Sequence, residues 1–290
     1  MTKQLSISII IPCWNSEAQL KKNLPSVLVA AKKADARVIV VDDHSQDRSV
    51  DYLESLKTEI TLLKNDKNLG FGETVNRGVS YAKSDLVSLL NTDVRPASNC
   101  FVNARKYFVD KSVFAVGFNS NEGSMRVSWN RGLFHHFKSN NTTISLWASG
   151  GQAMFNREKY LTLGGMDALY TPFYWEDTDL GYNAWKRGWK VLWGKDCHCV
   201  HDHKASVIRE NFVKDKIYTT AQRNQFLFIW KNISDPKLLL SHILYLPFYL
   251  LQYPRPVFAA LKLLPDALIS RKKLSPYWKL SDQDILKLWP

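Results

Sequence analysis

Three carboxylates, Glu176, Asp177 and Asp179, fall within four positions of one another, directly behind the aromatic run Phe173, Tyr174 and Trp175 in "TPFYWEDTDLGYNAWKRGWKVLW". Acids at a helix N-terminus are stabilised by the dipole by ~0.3–1 kcal/mol each, which accounts for one acid as a cap. Three acids behind three rings also suit a second task, accepting a proton from a hydroxyl while the rings wall a sugar. Asp93 closes the apolar run "DLVSLLNTD", and no helix pattern follows at once. A carboxylate on a strand end suits a divalent cation that carries phosphates, because Mg²⁺ and Mn²⁺ take few carboxylates and fill their shells with phosphate oxygens and water. Asp42 and Asp43 end "RVIVVDD", where an acid can cap the next helix, as Ser45 also can, or bind a ligand. In "CHCVHDH", Cys197, Cys199, His201 and His203 share one face of a strand. Alternate strand positions lie ~6.6 Å apart, too far for four bonds of ~2.0–2.3 Å to one zinc. A single histidine assisting a metal held mainly by Asp93 fits better.

These residues need elements to hold them. "LSISIII" is a β-branched run of the kind buried on both faces of a sheet. "SEAQLKKNLPSVLVAAKKA" reads as a helix that Pro25 kinks or restarts, and "RVIVVDD", "SVDYLESLK", "EITLLKN", "FGETVNRGVSYAKS" and "DLVSLLNTD" continue the alternation. This order predicts an α/β fold, a Rossmann-like, mostly parallel sheet with helices on both faces. Ligands of such sheets bind outside the carboxyl ends of the strands, which directs "PCWN", "DDHSQD" and "NTDV" to one crevice. No G-x-G-x-x-G follows the first strand and no G-x-x-x-x-G-K-[ST] occurs, which counts against a dinucleotide-dependent reductase and a P-loop ATPase.

The chain of 290 residues is 45% hydrophobic, enough for one large domain, or one domain with an appendage. Four irregularly spaced cysteines and no leader before the first strand predict a reducing, cytoplasmic setting. Of the net charge of +12, residues 204–290 carry 14 Lys/Arg against 6 Asp/Glu. "KLLLSHILYLPFYLLQY" and "PVFAALKLLPDALISRKK" read as apolar, basic helices too interrupted for the ~20 residues of a membrane span. We therefore divide the chain into residues 1–204, catalytic, and residues 205–290, a helical region on an anionic membrane surface. No nucleic-acid motif accompanies the charge. The alternatives for the tail are a bundle packed on the catalytic part and a homodimer interface.

Seven stretches in order, "SIIIPCWN", "VIVVDDHSQDRS", "NLGFGETVNRGV", "LLNTDV", "SGGQAMFNREKYLTLGGMD", "FYWEDTDLGYNAWKRG" and "VHDHKAS", resemble family 2 glycosyltransferases of the GT-A fold. The resemblance implies an inverting transferase that moves a sugar from a nucleoside diphosphate donor to a glycan or lipid-linked acceptor, working peripherally on the inner face of the cell membrane. It implies Pro12, Asn15, Asp43, Asn76, Asn91 and Thr92 at the nucleotide sugar. Asp93 and His201, five residues before Ser206, would serve a Mg²⁺ or Mn²⁺ ion. Asp177 would be the general base, with Glu176 orienting it or the acceptor, and Gly150, Gly151 and Trp175 would touch sugar or acceptor. Asn91 stands where the family's D-x-D has its first acid, as in a rhamnosyltransferase-like branch. The rival readings are a nucleotidyltransferase and a non-catalytic membrane scaffold.

Overall fold

The computed structural model describes residues 4–121, 123–139, 143–202 and 212–289. The opening alternation becomes β1 (Ile7–Cys13), α1 (Glu17–Ala34), β2 (Ala36–Asp42), α2 (Ser49–Ser55), β3 (Thr61–Lys64), α3 (Phe71–Tyr81) and β4 (Leu86–Leu90). β1 pairs in parallel with both β2 and β4, and β2 with β3, as the alternation predicts. α1 runs through Pro25 without a break.

Beyond β4 come β5 (Val94–Pro96), α4 (Cys100–Lys106), β6 (Val113–Asn119), the hairpin β7 (Ser124–Asn130) and β8 (Leu133–Ser139), β9 (Gln152–Asn156), α5 (Arg157–Thr162), α6 (Glu176–Lys186) and β10 (Lys190–His201). Among the described residues the main sheet runs β3-β2-β1-β4-β9-β6-β10-β5, with β7-β8 apart. β9 is antiparallel to β4 and β6, and β5 to β10, so the sheet is mixed in its second half.

The pleat sorts β1 by alternation. Ile9 and Ile11 enter the core under α1 and α4, and Ile10 enters the one under α3. The second core continues into the C-terminal helices α7 (Lys214–Asn232), α8 (Pro236–Gln252), α9 (Pro254–Lys262), α10 (Leu264–Leu274) and α11 (Asp282–Leu286). "PVFAALKLLPDALISRKK" is two helices rather than one, since Pro265 opens α10. The boundary at 204/205 lies outside the described residues, as do His203 and Ser206.

Buried polar bonds fasten this tail to α6. Lys186 Nζ lies 2.5 Å from Asp282 Oδ1, with both side chains at most 1% exposed. Tyr182 donates to the same carboxylate, as do the Ser234 and Asp235 amides, each at 2.7 Å. Gly181 lets α6 lie against the chain before β9, because a Cβ there would sit 2.6 Å from the Leu146 carbonyl oxygen.

Removing one partner of a buried ion pair costs about 3–5 kcal/mol, since the other charge stays buried. Asp282→Ala should lower stability by that order in urea titrations. A loss within about 0.5 kcal/mol, as for a surface site, would show that α11 does not anchor α6.

Candidate active site

A cavity of about 390 Å³ opens beyond the carboxyl ends of β1 and β4, where the alternation predicts a crevice. Of the residues singled out from sequence, Pro12, Asp43, Asn91, Thr92 and Asp93 line one part of it. Gly150, Gly151, Glu176, Asp177 and His201 line the rest. Phe173, Tyr174, Glu176, Asp177 and His201 are thus joined to a strand end much earlier in the chain.

Three do not line it. Asn15 ties two rim loops together, accepting from the Gln46 amide at 2.7 Å while its own amide donates to Ser45 Oγ at 2.9 Å. Asn76 donates to the Met166 carbonyl at 2.8 Å and accepts from the Tyr160 hydroxyl and the Met166 amide, so its polar atoms are used in clamping α3 to the 160–166 segment. Trp175 is 8% exposed, its ring packed against Phe228 and His136. The cavity's aromatic lining comes instead from Phe173, Tyr174, Trp14, Phe71 and Phe212. Phe71 lies in the stretch "NLGFGE" and Trp14 in "PCWN".

Asp43 does not cap the next helix. Its Oδ1 accepts from the Asn65 side chain and the Leu69 amide, and its Oδ2 from the Gly70 amide at 2.9 Å, which shapes the loop entering α3. Asp47 holds the helix starts, accepting from the Glu17 and Ser49 amides at 3.0 Å each. The side chain of Asn91 lies against Gly151, where a Cβ would come within 2.4 Å of its amide nitrogen.

The pairing of β10 with β5 sets His201 opposite Val94 and so beside Asp93. His201 Nε2 lies 3.4 Å from Asp93 Oδ1, a buried oxygen that accepts no hydrogen bond among the described residues. One carboxylate and one imidazole do not make a cage, and among the described residues no group of three or more His, Cys, Asp or Glu could hold a metal. The pair does fit a Mg²⁺- or Mn²⁺-type cation whose remaining ligands are phosphate oxygens and water. Cys197 and Cys199 are buried on β10, Cys199 donating to Gln152 Oε1 at 3.4 Å.

The three acids of α6 divide. Asp179 turns inward, its Oδ2 2.7 Å from Lys231 Nζ and its Oδ1 accepting from the Tyr170 hydroxyl and the Asn232 amide. Lys231 also reaches Asp167 at 2.7 Å. Burial works against its ammonium, yet the charges of Asp179 and Asp167 raise its pKa above the ordinary lysine value. Glu176 and Asp177 face the cavity, delivered by Tyr174 and Trp175 with φ of 72° and 80°. Left-handed backbone at such residues costs about 1–3 kcal/mol each and persists only where its surroundings hold it. Asn224 holds it here: its buried side-chain amide donates to the carbonyls of Tyr170, Phe173 and Tyr174 at 2.8, 3.0 and 2.8 Å.

Burial, then the charge of Asp177, pushes the Glu176 carboxyl up to about 8. Burial also raises Asp177, but amides of Thr178 and Gly150 hydrogen-bond its carboxylate and oppose the rise. Of the pair, Asp177 has the better-supported carboxylate and Glu176 the more strongly raised carboxyl, with Oε2 buried and accepting no hydrogen bond among the described residues.

A family model described as glycosyl transferase family 2 matches residues 8–168. An uncharacterized glycosyltransferase of Haemophilus influenzae is 32% identical over 96 residues, 33% of this chain and 30% of that protein. The succinoglycan biosynthesis protein ExoA of Rhizobium meliloti is 25% identical over 214 residues, 69% of this chain and 64% of that one. Each match spans less than two thirds of the relative's length. The mannosyltransferase PcManGT from Pyrobaculum calidifontis, solved with GDP-Man and Mn²⁺, superposes with a TM-score of 0.59 at 17% identity, covering 99% of this chain and 80% of that one. At that identity the likeness is one of fold, the GT-A arrangement of a mixed, mostly parallel sheet flanked by helices.

The raised carboxyl predicts a pH dependence. A group whose folded pKa lies above its ordinary value of 4.5 contributes its stability below that value and loses it as pH rises through about 8. The melting temperature should fall between about pH 4.5 and about pH 8 and level off above that, and fall less in Glu176→Gln, which cannot ionise. Parallel declines in the two proteins would place the titrating group elsewhere.

Proposed function

This chain belongs to glycosyl transferase family 2, and we propose that it transfers a sugar from a nucleoside diphosphate donor to a hydroxyl of a glycan or lipid-linked acceptor, with inversion, in cell-surface polysaccharide synthesis. The observation that carries the reading is one cavity lined both by the carboxyl of Asp177 and by the pair Asp93–His201. We assign donor binding and catalysis to residues 1–204 and attachment at the inner face of the membrane to residues 205–290.

In this reaction Asp177 takes the proton of the acceptor hydroxyl as that oxygen attacks the anomeric carbon from the face opposite the leaving diphosphate. Glu176, still protonated near neutrality, donates a hydrogen bond to the acceptor. Phe173 and Tyr174 wall the sugar and exclude water. Asp93, with His201 beside it, would hold a divalent cation whose chemistry is to neutralise charge on the departing diphosphate. Asn91 supplies an amide where the family's motif has its first acid, and this supports a deoxyhexose donor such as a rhamnosyl nucleotide.

A general base contributes ~10²–10⁴-fold, so Asp177→Asn should lower turnover on that scale while donor binding survives. Near-normal transfer by that variant would remove the assignment. Asp93→Ala should abolish the Mn²⁺-dependent part of donor affinity in calorimetry; affinity that still responds to Mn²⁺ would move the cation site. A thermal-shift screen of nucleoside diphosphate sugars with Mn²⁺ identifies the donor through the stabilisation that binding confers. Slow release of nucleoside diphosphate supports the transferase, and release of pyrophosphate a nucleotidyltransferase.

A further inference from the structure

We propose that the outward faces of α8, α9 and α10 form one docking surface for an anionic lipid bilayer, on which the protein lies flat. This deepens the membrane attachment proposed above by naming the surface.

The inner face of α8 is fixed on the β7–β8 turn. His242 places Nδ1 2.7 Å from the Gly132 carbonyl oxygen and Nε2 2.9 Å from Trp230 Nε1, and the Tyr249 hydroxyl donates to the Arg131 carbonyl at 2.7 Å. The helix lies close on that turn, where a Cβ at Gly132 would meet His242 Cα at 2.8 Å. The opposite stripe therefore points permanently outward. It consists of Leu240, Leu244, Phe248 and Leu251, at 57%, 70%, 52% and 85% exposure, with Ile243 beside it. Spacings of four, four and three residues put these side chains on one helical face. Exposed Phe258 on α9 and Leu268 and Ile269 on α10 extend the apolar character. Apolar surface gathered in this way on a folded chain marks an interaction site.

Charge selects the occupant. Residues 236–273 contain six Lys/Arg and one acid, Asp266. Lys237, Lys262, Lys272 and Lys273 are exposed, and among the described residues none has a carboxylate within 4.0 Å. Arg255 reaches Asp215 only at 3.8 Å, both side chains exposed. A second copy docked through the same face would oppose two sets of like charges, whereas anionic headgroups neutralise them. From Leu240 to Leu251 the stripe is about 16 Å long at ~1.5 Å per residue, about half a hydrocarbon core. No helix among the described residues is long and apolar enough to cross a membrane. The geometry is that of a helix lying in the headgroup boundary.

The test uses the full chain, because α8–α11 share the core and truncation would expose it. Co-sedimentation is measured with phosphatidylglycerol/phosphatidylcholine vesicles and with phosphatidylcholine alone, for the wild type, for Leu244→Ser with Phe248→Ser, and for Lys262→Glu with Lys272→Glu and Lys273→Glu. Sedimentation velocity of each protein without lipid reports self-association. We expect binding to the anionic vesicles that weakens with salt and falls at least about ten-fold in each variant, with melting temperature and donor hydrolysis unchanged. Equal vesicle binding by the wild type and the serine variant overturns the surface. So does a wild-type dimer that the serine substitutions split, with no vesicle binding by either protein. Vesicle binding and donor hydrolysis are read separately, so absent hydrolysis with vesicle binding retained overturns the enzymatic reading and leaves the surface standing.

Discussion

The placement of the site's acids depends on the buried ammonium of Lys231, 1% exposed and held by Asp179 and Asp167. Taking a charge out of water costs several kcal/mol, which only close opposite charges and hydrogen bonds repay. Three elements must therefore meet at one point: the end of α7, the first turn of α6, and the loop after α5. The start of α6 is the segment that offers Glu176 and Asp177 to the cavity. A charge in the C-terminal half of the chain thus fixes where two acids of the site stand, although it touches neither.

The same half of the chain holds the strained approach to α6. Two consecutive left-handed residues, Tyr174 and Trp175, turn the backbone so that one ring faces the cavity and the next the core. Asn224 gathers three carbonyls of that turn on one amide, and Arg223 donates to a fourth, that of Thr171, at 2.5 Å. Strain of this kind collects where a reactive group must be presented in one orientation. The tail is in this sense part of the site's scaffold, and its outward face is left free for another role.

Much of this was legible in the residues. Runs such as "SISIII" and "RVIVV" give parallel strands because burial on both faces leaves one signal, and strand ends then direct Asp43 and Asp93 to the crevice. What could not be read was direction beyond the local period. Nothing in "QAMFN" says that β9 enters antiparallel between β4 and β6. Asn76 and Trp175 have types that suit a ligand, yet the fold uses them to close a loop and fill a core. Of the three acids, local sequence could not separate Asp179 from its neighbours, because its partner Lys231 lies 52 residues away.

That separation bears on how the cavity would tolerate the anionic donor proposed above. Counted from sequence, the cavity has four acids, Asp43, Asp93, Glu176 and Asp177, a poor wall for a diphosphate. The fold lowers the effective charge by two physical routes. Asp43 meets three N–H donors from its neighbouring loop, and burial of its carboxyl and the charge of Asp177 push Glu176 up to about 8. Asn91 removes a further charge next to Asp93. Of the two remaining acids that line the cavity, Asp93 suits a cation and Asp177 a proton. Burial and hydrogen bonding, more than the number of acids, thus decide which of them are available for chemistry.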